Sequence, residues 1–191
     1  MSRFEAITDK SQTSEDRYEE FDAIVAVLGR VGGPFSAMFH SPGLAQKVME
    51  AGAHIRTRST LTMGERELII LAVAREKDGV YEWSSHVGQA RNNGVADSTI
   101  DAVRDNADLS GLDEHERDIV EYVRQLLRTN RVGDDLYQRL VERKGLRWVV
   151  ELTGTIGQYQ YISAINNAFE IEPHAGAEIL PVPAANPIGV S

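Results

Sequence analysis

The sequence predicts an all-α fold, on three observations. Apolar residues recur at three-and-four spacing through segment after segment, and runs of alternating β-branched residues are few. Ser, Thr or Asp stands before several periodic stretches, and Gly or Pro follows them. At 191 residues the chain is long enough to bury a sizeable core. We place a single helical domain at 13–171, between an N-terminal arm at 1–12 and a Pro-rich C-terminal arm at 172–191.

Met1 to Gln12 is polar and reads as a loosely held arm. Thr13 and Ser14 offer N-caps to a helix in which Phe21, Ile24, Val25 and Leu28 share a face. The paired glycines between Gly29 and Pro34 stop it. Phe35 to His40 is a short apolar piece, and Ser41-Pro42 is a cap and first-turn pair for a helix running to about Ile55. Thr62 and Glu65 have the capping-box form, so the next helix begins near Met63. Its Leu68, Leu71 and Ala72 form a stripe that Ile69, Ile70 and Val73 widen nearly all round, which predicts burial. Lys77 to Gly79 interrupts it. A further helix then runs from about Val80 to Asn93 and ends at Gly94, a residue suited to a left-handed terminus.

Beyond Gly94, Asp97 to Asn106 makes a modest helix with Ile100 and Val103 inward. Asp113 and Glu116 repeat the capping-box form ahead of a helix with Ile119, Val120, Val123, Leu126 and Leu127 on one side, and His115 in its first turn reads as exposed. Asp134 to Gly145 brackets a shorter helix. The longest runs from about Leu146 to Phe169, with Trp148, Val149, Leu152, Ile156, Tyr159, Ile162 and Ile165 inward; Gly154 and Gly157 permit close contact or a bend. From Glu172 the prolines end helical structure, and the tail is expected either to be disordered or to drape over a neighbouring subunit.

Chemistry concentrates between Thr62 and Gly94. Glu82 and His86 are four residues apart, so they meet on one helix face, and a carboxylate beside an imidazole favours the protonated ring. Such a pair can move protons near neutrality. Glu67, on the preceding helix, reaches the same place if the two helices turn back on each other. Tyr81, Trp83 and Tyr159 are candidate substrate contacts. The plain alternative is a surface Glu–His link worth a few tenths of a kcal/mol, with the aromatic residues in the core. His40 and His54, with His86 and Glu82, admit a weaker reading as a metal site for zinc or iron.

These residues resemble a known family, the carboxymuconolactone decarboxylase superfamily, which also includes alkylhydroperoxidase D. Peroxidase members carry Glu-x11-Cys-x2-Cys-x3-His, and the same offsets fall here on Glu67, Gly79, Glu82 and His86. Both ends are kept and both cysteines are gone. The stretch YEWSSHVGQARNNGV is similar to the Y-E-W-x2-H signature of cysteine-free members, with its later Ala and Gly. Gly33-Pro34-Phe35 and Ser41-Pro42-Gly43-Leu44-Ala45 fit the segment that precedes the site in that family; Glu151, Leu152, Gly157, Tyr159 and Asn166 fit its final helix. The resemblance implies a compact multi-helix alkylhydroperoxidase D-like fold, here with longer arms. It also implies a homo-oligomer, with a trimer favoured, and cofactor-free acid/base chemistry of the decarboxylase type on a small organic acid. In that reading His86 is the proton donor or enolate partner, Glu82 holds it, and Glu67 tunes or relays the proton. The cation for a substrate carboxylate is open; Arg58, Arg66 and Arg91 are candidates by proximity.

The cysteine count of 0 excludes a dithiol peroxidase, which needs a thiolate and a resolving thiol. A net charge of −9 argues against bulk binding to nucleic acid or an anionic membrane. There is no long apolar run and no signal-peptide pattern at the N-terminus, so a cytoplasmic protein is expected. A non-catalytic helical oligomer or ligand-binding protein is the competing reading.

Overall fold

The computed structural model describes residues 3–182, and within them the regular structure is helical. The helices are α1 (Tyr18–Leu28), α2 (Pro34–Met38), α3 (Pro42–Thr57), α4 (Met63–Glu76), α5 (Val80–Asn92), α6 (Asp97–Arg104), α7 (Glu114–Thr129), α8 (Asp134–Lys144) and α9 (Leu146–Ala168).

Helix α4 is the centre. Every residue from Glu65 to Arg75 is buried, as its all-round apolar sequence predicts. It packs against α5, α6, α7 and α9. The predicted capping box opens it: the Thr62 hydroxyl accepts from the Glu65 N–H at 3.2 Å, and the Glu65 carboxylate accepts from the Thr62 N–H at 2.7 Å. At α7 the same sequence pattern gives only half a box. Asp113 accepts from the N–H groups of His115 and Glu116, but Glu116 turns away to accept from the Thr99 hydroxyl.

The apolar side chains form two clusters. The larger gathers α4 with Trp83, Val87, Ile100, Ile119, Leu140, Trp148 and Leu152; the smaller joins Phe21, Ile24, Phe39 and Met49 of the N-terminal helices to Ile162 of α9. Helix α9 serves both, and the seam between them is where a cavity opens. Fully burying each such side chain contributes about 1.5–3 kcal/mol.

Four expectations need correction. Residues 3–12 are tied down: Ile7 is buried with its N–H on the Ser36 carbonyl, and Phe4 meets Phe169 edge-on. Thr13 and Ser14 do not open α1, because a turn of 3-10 helix at Glu15–Arg17 intervenes. The glycines of α9, Gly154 and Gly157, face open space and make no close contact. Residues 172–182 lie on their own chain: Leu180 is buried in the larger cluster, Pro181 accepts from Arg75 at 2.7 Å, and Glu178 pairs with Arg91 at 2.7 Å. The remainder of the Pro-rich arm, 183–191, lies outside the described residues. Among the described residues, no helix is long and apolar enough to cross a membrane.

Candidate functional site

Helices α4 and α5 are joined by a turn so tight that the Gly79 N–H bonds back to the Ala74 carbonyl at 2.7 Å. A Cβ at Gly79 would lie 3.1 Å from the Ser163 hydroxyl and 3.3 Å from the Ala74 Cα, so a larger side chain there would press on backbone. The turn folds α5 back along α4 and brings three residues from the sequence reading together.

Glu67 Oε2 lies 2.6 Å from His86 Nδ1, and His86 Nε2 lies 3.5 Å from Glu82 Oε2. The closer partner of the imidazole is therefore the carboxylate on the neighbouring helix, not the one four residues back on its own. Glu67 is 1% exposed and stands behind the ring, away from the cavity. Its other oxygen accepts from Arg66 Nε at 3.2 Å and Nη2 at 3.0 Å, and Arg66 also reaches the Arg56 carbonyl. This ties the site to the end of α3.

The two carboxyls are pushed in opposite directions. Burial raises Glu67, but the hydrogen bond and charge of His86, followed by those of Arg66, outweigh it and hold the group below its ordinary value. Burial raises Glu82 as well. There the attraction of His86 and the amide of Asn166, whose Nδ2 donates to Oε1 at 2.8 Å, do not compensate, and Glu67 adds repulsion. Glu82 therefore sits above its ordinary value and Glu67 below it. Titratable groups separated in this way occur at acid/base sites.

Glu82 and His86 open onto a cavity of about 420 Å³, within the size range of small-ligand sites. Phe35, Val48, Met49 and Ile162 supply its apolar wall; Tyr81, Ser84, Ser85, Gln89, Gln158 and Tyr159 supply polar groups. Tyr159 meets the His86 ring edge-on at 5.5 Å. Its phenol is pushed up by burial first and then by the Glu82 charge, so it stays protonated and can donate. Tyr81 is raised in the same way. A Cβ on Gly33 would fall 2.2 Å from the Tyr81 hydroxyl, and Gly33 has φ +53°, so only glycine fits beside that ring.

Other candidates are placed elsewhere. Trp83 is 0% exposed in the larger core and does not line the cavity, because one helical step from Glu82 turns it toward α4. His40 bonds to the Glu5 carbonyl, and His54 faces a separate groove with Val27 and Glu50, so neither joins His86 and Glu82. Among the described residues there is no group of three His, Asp or Glu side chains arranged to hold a metal ion. Of the three arginines favoured by proximity, Arg66 is committed to Glu67 and Arg91 to Asp97 and Glu178, and Arg58 is not at the cavity. The cations on the cavity wall are Arg30 and Arg56, with no carboxylate partner among the described residues, and the imidazole of His174 from the tail lies beside them. Arg30 has no local sequence signal, and Arg56 had only its position one turn after Gly52.

Residues 42–125 match the model of the carboxymuconolactone decarboxylase family. No curated protein matches the sequence. Among solved structures, the chain is similar to an alkylhydroperoxidase AhpD core, an uncharacterized peroxidase-related protein from Ralstonia eutropha JMP134, with TM-score 0.74, 16% identity and coverage of 91% of this chain and 93% of that one. It is also similar to an uncharacterized peroxidase-related protein from Silicibacter sp. TM1040, with TM-score 0.68, 15% identity and coverage of 85% and 86%. The debrominase Bmp8, in complex with 2,3,4-tribromopyrrole, gives TM-score 0.66 and 16% identity over 92% of this chain and 95% of that chain. The chain thus has the alkylhydroperoxidase D-like all-α fold, and its residues 42–125 are similar to the carboxymuconolactone decarboxylase family.

Proposed function

We propose that the protein is a cofactor-free acid/base enzyme acting on a small organic anion, by decarboxylation or a related lyase or isomerase reaction. The observation that carries this reading is the chain Glu67–His86–Glu82, with its carboxyls pushed apart, at the wall of a 420 Å³ cavity. A scaffold has no need of a cavity beside such a chain.

Glu67 accepts the proton of His86 Nδ1, which fixes the ring and leaves Nε2 as the nitrogen facing Glu82. Glu67 is thus a positioning residue, and Glu82 and His86 are the catalytic pair. Arg30 or Arg56 holds the substrate anion, while Tyr159 is placed to donate to a developing enolate oxygen. In a decarboxylation the bond from carbon to the departing carboxylate breaks, its electron pair enters the enolate, and carbon dioxide leaves. The protonated pair then delivers a proton to that carbon. The same pair serves a hydration or an isomerisation. Exposed Leu146 and Val150, one turn apart on α9, suit self-association as a homo-oligomer.

The test is turnover of a panel of β-keto and lactone acids, followed by carbon dioxide release and by proton NMR. The wild type should convert at least one member, and Glu82→Gln should cost at least about 10²-fold if the carboxyl transfers the proton. Unchanged turnover in folded Glu82→Gln would remove the assignment.

A further inference from the structure

Asn166 is 2% exposed on α9, where nothing in the proposed reaction requires a buried amide. Its Nδ2 donates to Glu82 Oε1 at 2.8 Å, while its Oδ1 is buried without a hydrogen-bond partner. A buried carbonyl without a partner is costly, so the orientation calls for a reason. Turning the amide over would set Oδ1 against the charged Glu82 Oε1 and give up the one side-chain hydrogen bond the amide makes. Against the charged carboxylate the orientation found is therefore the less costly one, and in it Glu82 Oε1 is the acceptor.

An oxygen that accepts from an amide cannot also carry the carboxyl proton toward that donor. With the amide in that orientation, the proton of neutral Glu82 is left to Oε2, the oxygen 3.5 Å from Nε2 of His86, a residue that lines the cavity. We infer that Asn166 is a positioning residue that directs the Glu82 proton onto Oε2, so that the acid faces His86 and the bound substrate. The inference rests on the reading of Glu82 and His86 as the proton-handling pair, but it concerns the state of the resting protein and is measurable without turnover.

The other groups around Glu82 do not substitute for this amide. His86 approaches Oε2, Glu67 is repulsive, and Tyr159 makes no hydrogen bond to the carboxyl among the described residues. Ser163, one turn before Asn166, has a buried hydroxyl without a partner and does not reach the carboxyl. The Asn166 amide is thus the one side-chain donor to Glu82 Oε1 among the described residues.

The experiment follows the protonated carboxyl band of Glu82 by infrared difference spectroscopy across pH in the full-length protein. The band is identified by its loss in Glu82→Gln, and the ¹⁵N shift of His86 Nε2 is recorded alongside. Asn166→Leu, close in volume, and Asn166→Ser, too short to reach, both remove the donor to the charged form. Each should tighten proton binding at Glu82 by at least about tenfold. Each should also move the His86 Nε2 signal, because the proton is no longer confined to Oε2. A midpoint that does not move in either folded variant overturns the inference. A moved midpoint with an unmoved His86 Nε2 signal overturns the assignment to Oε2. If Glu82→Gln abolishes turnover while Asn166→Leu leaves both spectroscopic readouts unchanged, the proposed function stands and this inference fails.

Discussion

Helix α4 presents two buried glutamates two residues apart, each bonded to a histidine at 2.6 Å, and the two pairs face opposite sides of the helix. Glu67 meets His86. Glu65 meets His115, and also accepts from Lys144 at 2.7 Å, from Trp148 Nε1 at 3.3 Å and from the Thr62 N–H. Burial raises Glu65, but this set of donors outweighs it and drives the carboxyl far below its ordinary value. The carboxylate is saturated and binds α4 to α7, α8 and α9. His115 has its Nδ1 buried without a partner, whereas His86 turns its second nitrogen toward another carboxyl and a cavity. A Glu–His contact alone does not indicate chemistry; what the imidazole faces on its far side decides the matter.

Breaking the two pairs should separate their roles. The largest effect expected is on turnover, with His86→Gln lowering it by at least about 10²-fold. His115→Gln should leave turnover unchanged and lower the melting temperature instead. Next comes stability. Glu65→Ala strands Lys144, His115 and the Trp148 N–H, and should cost about 3–5 kcal/mol in denaturant unfolding. Glu67→Gln, which leaves Arg66 and His86 near a neutral acceptor, should cost less stability but alter the pH profile of turnover. Smaller still is the effect of removing a cavity cation: Arg56→Ala should raise KM by about tenfold with kcat nearly kept, as loss of one charge-assisted contact predicts.

The weakest effects are on stability against pH, and their signs differ. Glu65 and Glu67 are lowered in the folded chain, so the stability they contribute is complete above their unfolded values and is lost as pH falls through their folded ones. Glu82 is raised, so its contribution is complete below its unfolded value and is lost as pH rises through its folded one. Glu82→Gln should therefore flatten the alkaline limb of a stability–pH curve and leave the acid limb in place. Glu65→Gln should do the reverse. Urea midpoints across pH check both.

Much of this was readable in the chain. The order of every α-helix but α2, which reads only as a short apolar piece, followed from periodicity, the Thr62 cap from its spacing, and the meeting of Glu67 with His86 from the short break at Lys77 to Gly79. What escaped has physical causes. Trp83 has the same neighbours in sequence as Glu82, and only the direction of the side chain puts it in the core. His115 looked exposed because its partner lies fifty residues away on another helix. Arg30 and Arg56 reach the cavity from α1's end and from α3, and no local pattern encodes which long side chain bends over a seam between two cores. The tail's course depends on Leu180 finding a place in the core; the apolar run around it favours a surface to dock on but does not say which.

The fit of Gly33 beside the Tyr81 hydroxyl carries a consequence for how the binding site can vary. The loop between α1 and α2 and the first turn of α5 are keyed together at a single atom, and the residue after that tyrosine is Glu82. Any side chain added to the loop would have to evict the ring and would tug on the neighbouring acid. Natural or engineered changes in what the cavity accepts should therefore come as paired substitutions at these two positions, or be confined to the opposite wall on α3.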